Sequence, residues 1–240
     1  MASRQSPGLP TNRAADASTA LRLLQPVLLV ALQALLLFLP AGHLGWAGAW
    51  AYLLLYTTMI VVNAWGVLAR RPTLAFERSH PGERVKPWDR WLARALGNGS
   101  MLPLLVAGFD RRCGWSAAFP LAIQLAAATC VGLGYALTTW ALACNPFYSS
   151  VVRIQRDRGH TVVRAGPYAY LRHPGYLGLL AFTLATPLLL GSLWALLPAA
   201  GVVGVVIVRT ALEDRTLQEE LPGYDEYSRL VRFRLLPGMW

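Results

Sequence analysis

The sequence predicts an all-α, polytopic integral membrane bundle of about six membrane segments that ends in a helical hairpin. Three observations predict it. The 240 residues are 55% hydrophobic and only 14% charged, with a mean hydropathy of +0.41, which is the composition of a chain whose solvent is largely lipid. The apolar residues come in runs long enough to span a bilayer, and the arginines collect in alternate loops between them.

Residues 1–20 are polar and rich in Ser, Pro and Ala, which predicts a disordered tail. Residues 21–144 read as the N-terminal transmembrane helices. The first span is 21–40; a cleaved secretory signal with Ala47-Gly48-Ala49 as its site competes, but the run exceeds a usual signal core and more spans follow. The second span is 46–69. The third, 91–109, is weaker because Arg94, Asn98 and glycines interrupt it. The fourth is 117–144. Residues 145–240 form the C-terminal region, in which spans 175–190 and 193–208 are joined by Gly191-Ser192, the signature of a tight hairpin.

Six crossings put both termini on one side. All arginines except Arg111 and Arg112 fall on that side, while loops 42–45 and 191–192 carry no charge. The positive-inside rule makes this face, with both termini, cytoplasmic. The net charge of +10 then meets anionic headgroups rather than nucleic acid. Cys113, Cys130 and Cys144 lack ligand spacing, no His, Cys or acid cluster suits zinc or iron, and no metal is expected.

The densest chemistry lies just before the fifth span, in Gly166-Pro167-Tyr168-Ala169-Tyr170-Leu171-Arg172-His173-Pro174-Gly175-Tyr176-Leu177-Gly178. Proline disfavours helix in the residue before it and suits the first helical position, so a helix starts at Pro174 with His173 at its mouth. The amides of that first turn offer an anion site at the membrane surface, and Gly175 and Gly178 leave room for a ligand.

His160-Thr161-Val162-Val163, Gly166-Pro167-Tyr168 and Arg172-His173-Pro174-Gly175-Tyr176-Leu177-Gly178 together resemble the cofactor signature of isoprenylcysteine carboxyl methyltransferases and the related phospholipid N-methyltransferases. A second block, Arg209-Thr210-Ala211-Leu212-Glu213-Asp214 followed by Leu217, Gly223, Tyr224, Tyr227 and Pro237, is similar to that family's paired-acid segment after the last hydrophobic helix. Two positions depart from the pattern: Asp214 stands where the family often has glutamate, and Gly175 stands between Pro174 and Tyr176.

The resemblance implies methyl transfer from S-adenosylmethionine, held in a cytosolic pocket, to a lipophilic acceptor reached from the bilayer. It implies cofactor contacts from His160, Val162, Val163, Gly166, Tyr168, Arg172, His173, Pro174, Tyr176, Gly178, Glu213 and Asp214. The charges suggest the roles: helix-mouth amides and Arg172 for the donor's carboxylate, and Glu213 and Asp214 for its ammonium and ribose hydroxyls. Tyr168 and Tyr176 suit the adenine or the sulfonium. Arg209 and Glu213 share a helix face, so Arg209 is expected to orient an acceptor carboxylate while Glu213 holds Arg209. The acceptor is read as a prenylcysteine-like acid, with a lipid amine or small thiol as alternatives. A sterol-type reductase using NADPH is the competing enzyme class. A transporter is disfavoured because the span centres are almost free of ionisable residues.

The remaining polar residues are read structurally. Arg153, Arg156, Arg158 and Arg164 are expected to snorkel to phosphates, and Tyr224 and Tyr227 to anchor a short interfacial helix. His80-Pro81 repeats the His-Pro pair without its partners.

Overall fold

A chain in lipid must satisfy its backbone internally, and long helices do so. The computed structural model describes residues 12–79, 84–236, 238 and 240, and its elements are helical: α1 (Asn12–Ala41), α2 (Ala47–Val61), α3 (Pro72–Ser79), α4 (Pro87–Gly99), α5 (Leu102–Cys113), α6 (Leu121–Cys144), α7 (Pro174–Leu190), α8 (Leu196–Glu220) and α9 (Tyr224–Leu230). Five stretches, Leu24–Ala41, Ala47–Arg70, Pro87–Cys113, Leu121–Cys144 and Leu196–Glu220, are long and apolar enough to cross a membrane, and α7 is a shorter apolar helix. The molecule is a polytopic membrane helical bundle. Leu28, Leu35, Leu39, Leu54, Trp65, Leu125, Leu133 and Leu197 are exposed, as lipid-facing positions are.

The boundaries differ from expectation in four places. The first helix already begins at Asn12, inside the segment expected as a tail, because residues 12–25 contain neither Gly nor Pro and are rich in Ala and Leu; residues 1–11 of that tail, like His80-Pro81 and Pro237, lie outside the described residues. The third segment is two helices, α4 and α5, parted at Ser100-Met101, where Gly97, Asn98 and Gly99 weaken the helix and Pro103 opens the next. Pro120 delays α6 to Leu121. Finally, α8 runs on to Glu220, so the acidic block is part of the last long helix rather than a segment after it, since nothing breaks the helix before Pro222-Gly223.

The hairpin forms as expected. Gly191, at φ +72°, closes α7, and Ser192 Oγ both accepts from the Ala195 amide at 3.1 Å and donates to buried Asp110. The α6–α7 pair is the most extensively packed. It depends on Gly178 and Gly134: a Cβ on Gly178 would lie 2.5 Å from the Gly134 carbonyl and 2.4 Å from Thr138 Oγ1. Close approach through small residues is how membrane helices associate. Gly178 therefore joins helices and does not clear space for a ligand.

This packing gives a contrast between two glycines. Gly178→Ala is expected to destabilise the protein by roughly 1–3 kcal/mol, as overpacking does, whereas Gly132→Ala on α6, which meets nothing within 4 Å, leaves the thermal midpoint in detergent unchanged. Equal melting of the two variants would contradict the packing.

Candidate functional site

The site is organised by one carboxylate. Asp214, on α8, is completely buried. Its Oδ2 accepts from Arg172 Nη1 at 2.8 Å, Arg234 Nε at 2.8 Å and Gln218 Nε2 at 3.3 Å. Its Oδ1 accepts from the Tyr224 hydroxyl at 2.9 Å and from His173 Nε2 at 3.2 Å, which fixes the His173 proton on Nε2, since an ionised carboxylate only accepts. Five donors leave no lone pair for a ligand. Asp214, expected to hold the cofactor directly, instead ties α8, the mouth of α7, α9 and the C-terminal segment into one body.

Backbone bonds complete the joint: the amides of Arg172 and His173 donate to the carbonyls of Phe233 and Arg234, each at 3.0 Å. Ahead of them, Gly166 opens a short 3-10 turn, Gly166–Ala169, at φ +60°. A Cβ there would meet Cys144 Sγ at 2.4 Å, so this glycine seats the turn on the end of α6. The turn presents Tyr168, whose carbonyl accepts from the Tyr227 hydroxyl at 2.7 Å and whose own hydroxyl accepts from Asn145 Nδ2 at 3.2 Å.

A cavity of about 320 Å³ opens above this joint, bordered by His160, Val162, Val163, Tyr168, Arg172, His173, Tyr176, Arg209 and Glu213 among others. Nine predicted site residues, from both sequence blocks, therefore share one hollow. Gly166, Pro174, Gly178 and Asp214 do not line it; they build its walls. Leu96, Thr138, Leu179 and Phe182 continue the lining into the apolar stretches of α4, α6 and α7. There α4 packs chiefly against α8 and α5.

Arg209 and Glu213 are held differently from expectation. Arg209 donates through Nε and Nη2 to both oxygens of Asp89, at 2.7 and 3.1 Å, and through Nη2 to the Ser150 carbonyl at 2.9 Å. Asp89, on α4, is completely buried and also accepts from the Val152 amide at 2.6 Å. Glu213 instead accepts from the Tyr176 hydroxyl at 2.6 Å. A side chain at i+4 on the same helix cannot match the bidentate geometry offered by a carboxylate facing Arg209 from another helix. Nη1 of Arg209 and Oε1 of Glu213 have no partner among the described residues.

His160 accepts at Nδ1 from the Gln155 amide, 3.3 Å away, leaving an Nε2–H to donate. Burial, with the charges of Arg153 and Arg158, pushes its pKa down to about 4. Arg153, expected at phosphates, is buried and bonds Glu77 at 2.7 and 2.8 Å and Asp157 at 2.7 Å. The loop bearing His160 is thereby pinned to α3.

Sequence reasoning missed Asp89, Tyr148 and Asn145 as parts of this site. It also took Tyr224 and Tyr227 for anchors, whereas both are buried and line the cavity. Nothing local to Asp89 showed that it faces inward, because its partner is 120 residues away.

Residues 126–221 match the model of the isoprenylcysteine carboxyl methyltransferase (ICMT) family. Over this stretch the chain is similar to that family. The mouse and human protein-S-isoprenylcysteine O-methyltransferases are 34% and 32% identical to it over 74 residues, 31% of this chain and 24% of theirs. The Schizosaccharomyces pombe enzyme of the same name is 42% identical over 45 residues, 19% of each chain. The chain thus matches about a quarter or less of the length of these relatives. The ICMT match takes in the α6–α7 pair, the 3-10 turn and α8, the elements that enclose the cavity.

A depressed His160 pKa has a sign. In the unfolded chain the ring takes up a proton near its ordinary 6.5, in the folded chain near 4, so this group's contribution is complete above 6.5 and is lost as pH falls from there through 4. The thermal midpoint is expected to decline over that window, less steeply in His160→Gln, and ring-proton NMR should show no titration near 6.5. A ring titrating near 6.5 would contradict the buried, neutral state.

Proposed function

We propose that this chain is an S-adenosylmethionine-dependent membrane methyltransferase that esterifies the carboxylate of a prenylcysteine-like acceptor, with its cofactor site and both termini on the cytoplasmic face. One observation carries the reading. Of the buried side-chain polar atoms without a partner among the described residues, Asn63 Oδ1, Tyr135 OH and Arg172 Nε, only Arg172 borders the cavity. A buried guanidinium N–H left unmatched is costly, and an anionic ligand group beside it removes the cost.

The other lining groups fit the same ligand. Arg172 and the first turn of α7 suit the donor's carboxylate. Glu213 keeps Oε1 for an ammonium or hydroxyl, and the His160 Nε2–H suits an acceptor oxygen. The aromatic and aliphatic faces of Tyr168, Tyr224, Tyr227, Val162 and Leu217 suit a planar base. When bound, S-adenosylmethionine supplies an electrophilic methyl on sulfur, which keeps the bonding pair as the methyl passes to the acceptor oxygen. The protein's residues then align and exclude water rather than exchange protons, because an ionised carboxylate needs no base. Arg209, braced by Asp89, presents Nη1 to the acceptor carboxylate. Leu96 of α4, with Leu179 and Phe182 of α7, gives the hollow an apolar side, which suits an isoprenoid chain. The family match supports the same donor, and the names of the relatives the same acceptor.

Radiolabelled methyl transfer in native membranes tests this. Label is expected in an alkali-labile ester of a supplied prenylcysteine acid, and S-adenosylhomocysteine but not NADPH should bind the purified protein. Arg172→Gln and Glu213→Gln should each weaken S-adenosylhomocysteine binding by about 10–100-fold, the value of a charged hydrogen bond. Alkali-stable label in a lipid amine or thioether would replace the acceptor, and binding of NADPH alone would overturn the assignment.

A further inference from the structure

Among the cavity-lining groups outside the Asp214 network are Arg78 of α3, Tyr148 and Arg209. Tyr148 closes the turn after α6, its amide donating to the Asn145 carbonyl at 3.3 Å. Its hydroxyl lies at the first turn of α7, 2.4 Å from where a Gly175 Cβ would stand. That position needs glycine because the phenol fills it. The hydroxyl makes no hydrogen bond among the described residues, yet it is not among the buried unpartnered atoms, so it opens to the cavity. Burial pushes its pKa up, against the pull of Arg78 and Arg209, so it stays a donor.

The two guanidiniums meet at this phenol and its neighbour. Arg78 Cζ sits 5.5 Å from the Tyr148 ring centroid, and Arg209 Cζ sits 5.7 Å from that of Tyr176, one residue past Gly175. Asp89 neutralises Arg209, and Glu213 is partnered by Tyr176. Arg78 has no carboxylate partner among the described residues, only the ring. This wall offers N–H and O–H donors, and its one guanidinium without a carboxylate partner among the described residues is Arg78, which suits an anionic oxygen better than an ammonium headgroup.

We propose that Arg78, Tyr148 and Nη1 of Arg209 form a carboxylate subsite, and that Arg78 and Tyr148 make this chain select an acid over an amine or a neutral acceptor. This rests on the acid-methylating reading above. Gripping one carboxylate oxygen leaves the other free to attack. Arg78 and Tyr148 touch the acceptor, not the methyl donor, so their loss should appear in acceptor affinity.

The test uses the full chain in phosphatidylcholine nanodiscs with N-acetyl-S-farnesylcysteine and its primary carboxamide as paired probes, each titrated in saturating S-adenosylhomocysteine. The unaltered protein should prefer the acid. Arg78→Gln and Tyr148→Phe should each weaken acid binding and raise its KM by about tenfold, the scale of one charge-assisted bond, with carboxamide and S-adenosylhomocysteine affinities unchanged. Arg78→Lys should restore part of the preference. An acid preference unchanged in both variants, or absent from the unaltered protein, overturns the subsite. Binding that follows the prediction without methyl transfer to the acid upholds the subsite and overturns only the esterification.

Discussion

Everything at the candidate site depends on a buried carboxylate that has spent all its lone pairs on its own protein. Asp214 receives Arg172, His173, Tyr224 and Arg234 from three separate stretches of chain. A buried charge without partners would be strongly unfavourable, so these stretches and α8 must come together for any of them to be stable. The cup is thus a consequence of electrostatics in a dry interior. Arg172 spends Nη1 and Nη2 on this joint, and its Nε is buried without a partner among the described residues.

A second buried pair repeats the device on the other wall. Asp89 and Arg209 join α4 to α8 through a bidentate bridge, and the loop at Val152 hangs from the same carboxylate. Such pairs are weak sources of net stability, but they specify arrangement, since losing either partner strands the other. They also leave one N–H of Arg209 without a protein partner among the described residues at the cavity, and one N–H of Arg172 buried without a partner beside it. Leu96, Thr138, Leu179 and Phe182 of α4, α6 and α7 give the cavity an apolar side opposite these charges.

The spans were legible because hydropathy is a local property, and so was the hairpin, because glycine at a left-handed turn is a local requirement. His173 and Pro174 announced a helix start, and the start is there. The two chemical blocks were readable as belonging together only through the family resemblance, and nine of their residues do line one cavity. What escaped was every role decided by a distant partner. Nothing around Asp214 distinguishes a carboxylate that greets a ligand from one that is consumed internally. Glu213 and Arg209, spaced for each other on one helix, both chose partners elsewhere because Asp89 and Tyr176 offered better geometry. Gly178 was read as room for a ligand and is contact between helices, which requires knowing that Gly134 faces it.

Hydrogen exchange of Asp214→Asn compared with the unaltered protein tests the central claim most directly. If one carboxylate holds the cup, the substitution should speed amide exchange together in 171–176, 224–231 and 232–236, while α1 and α5 keep their protection. Exchange that rises only around position 214, leaving those three stretches as protected as before, would mean that the cup stands without it.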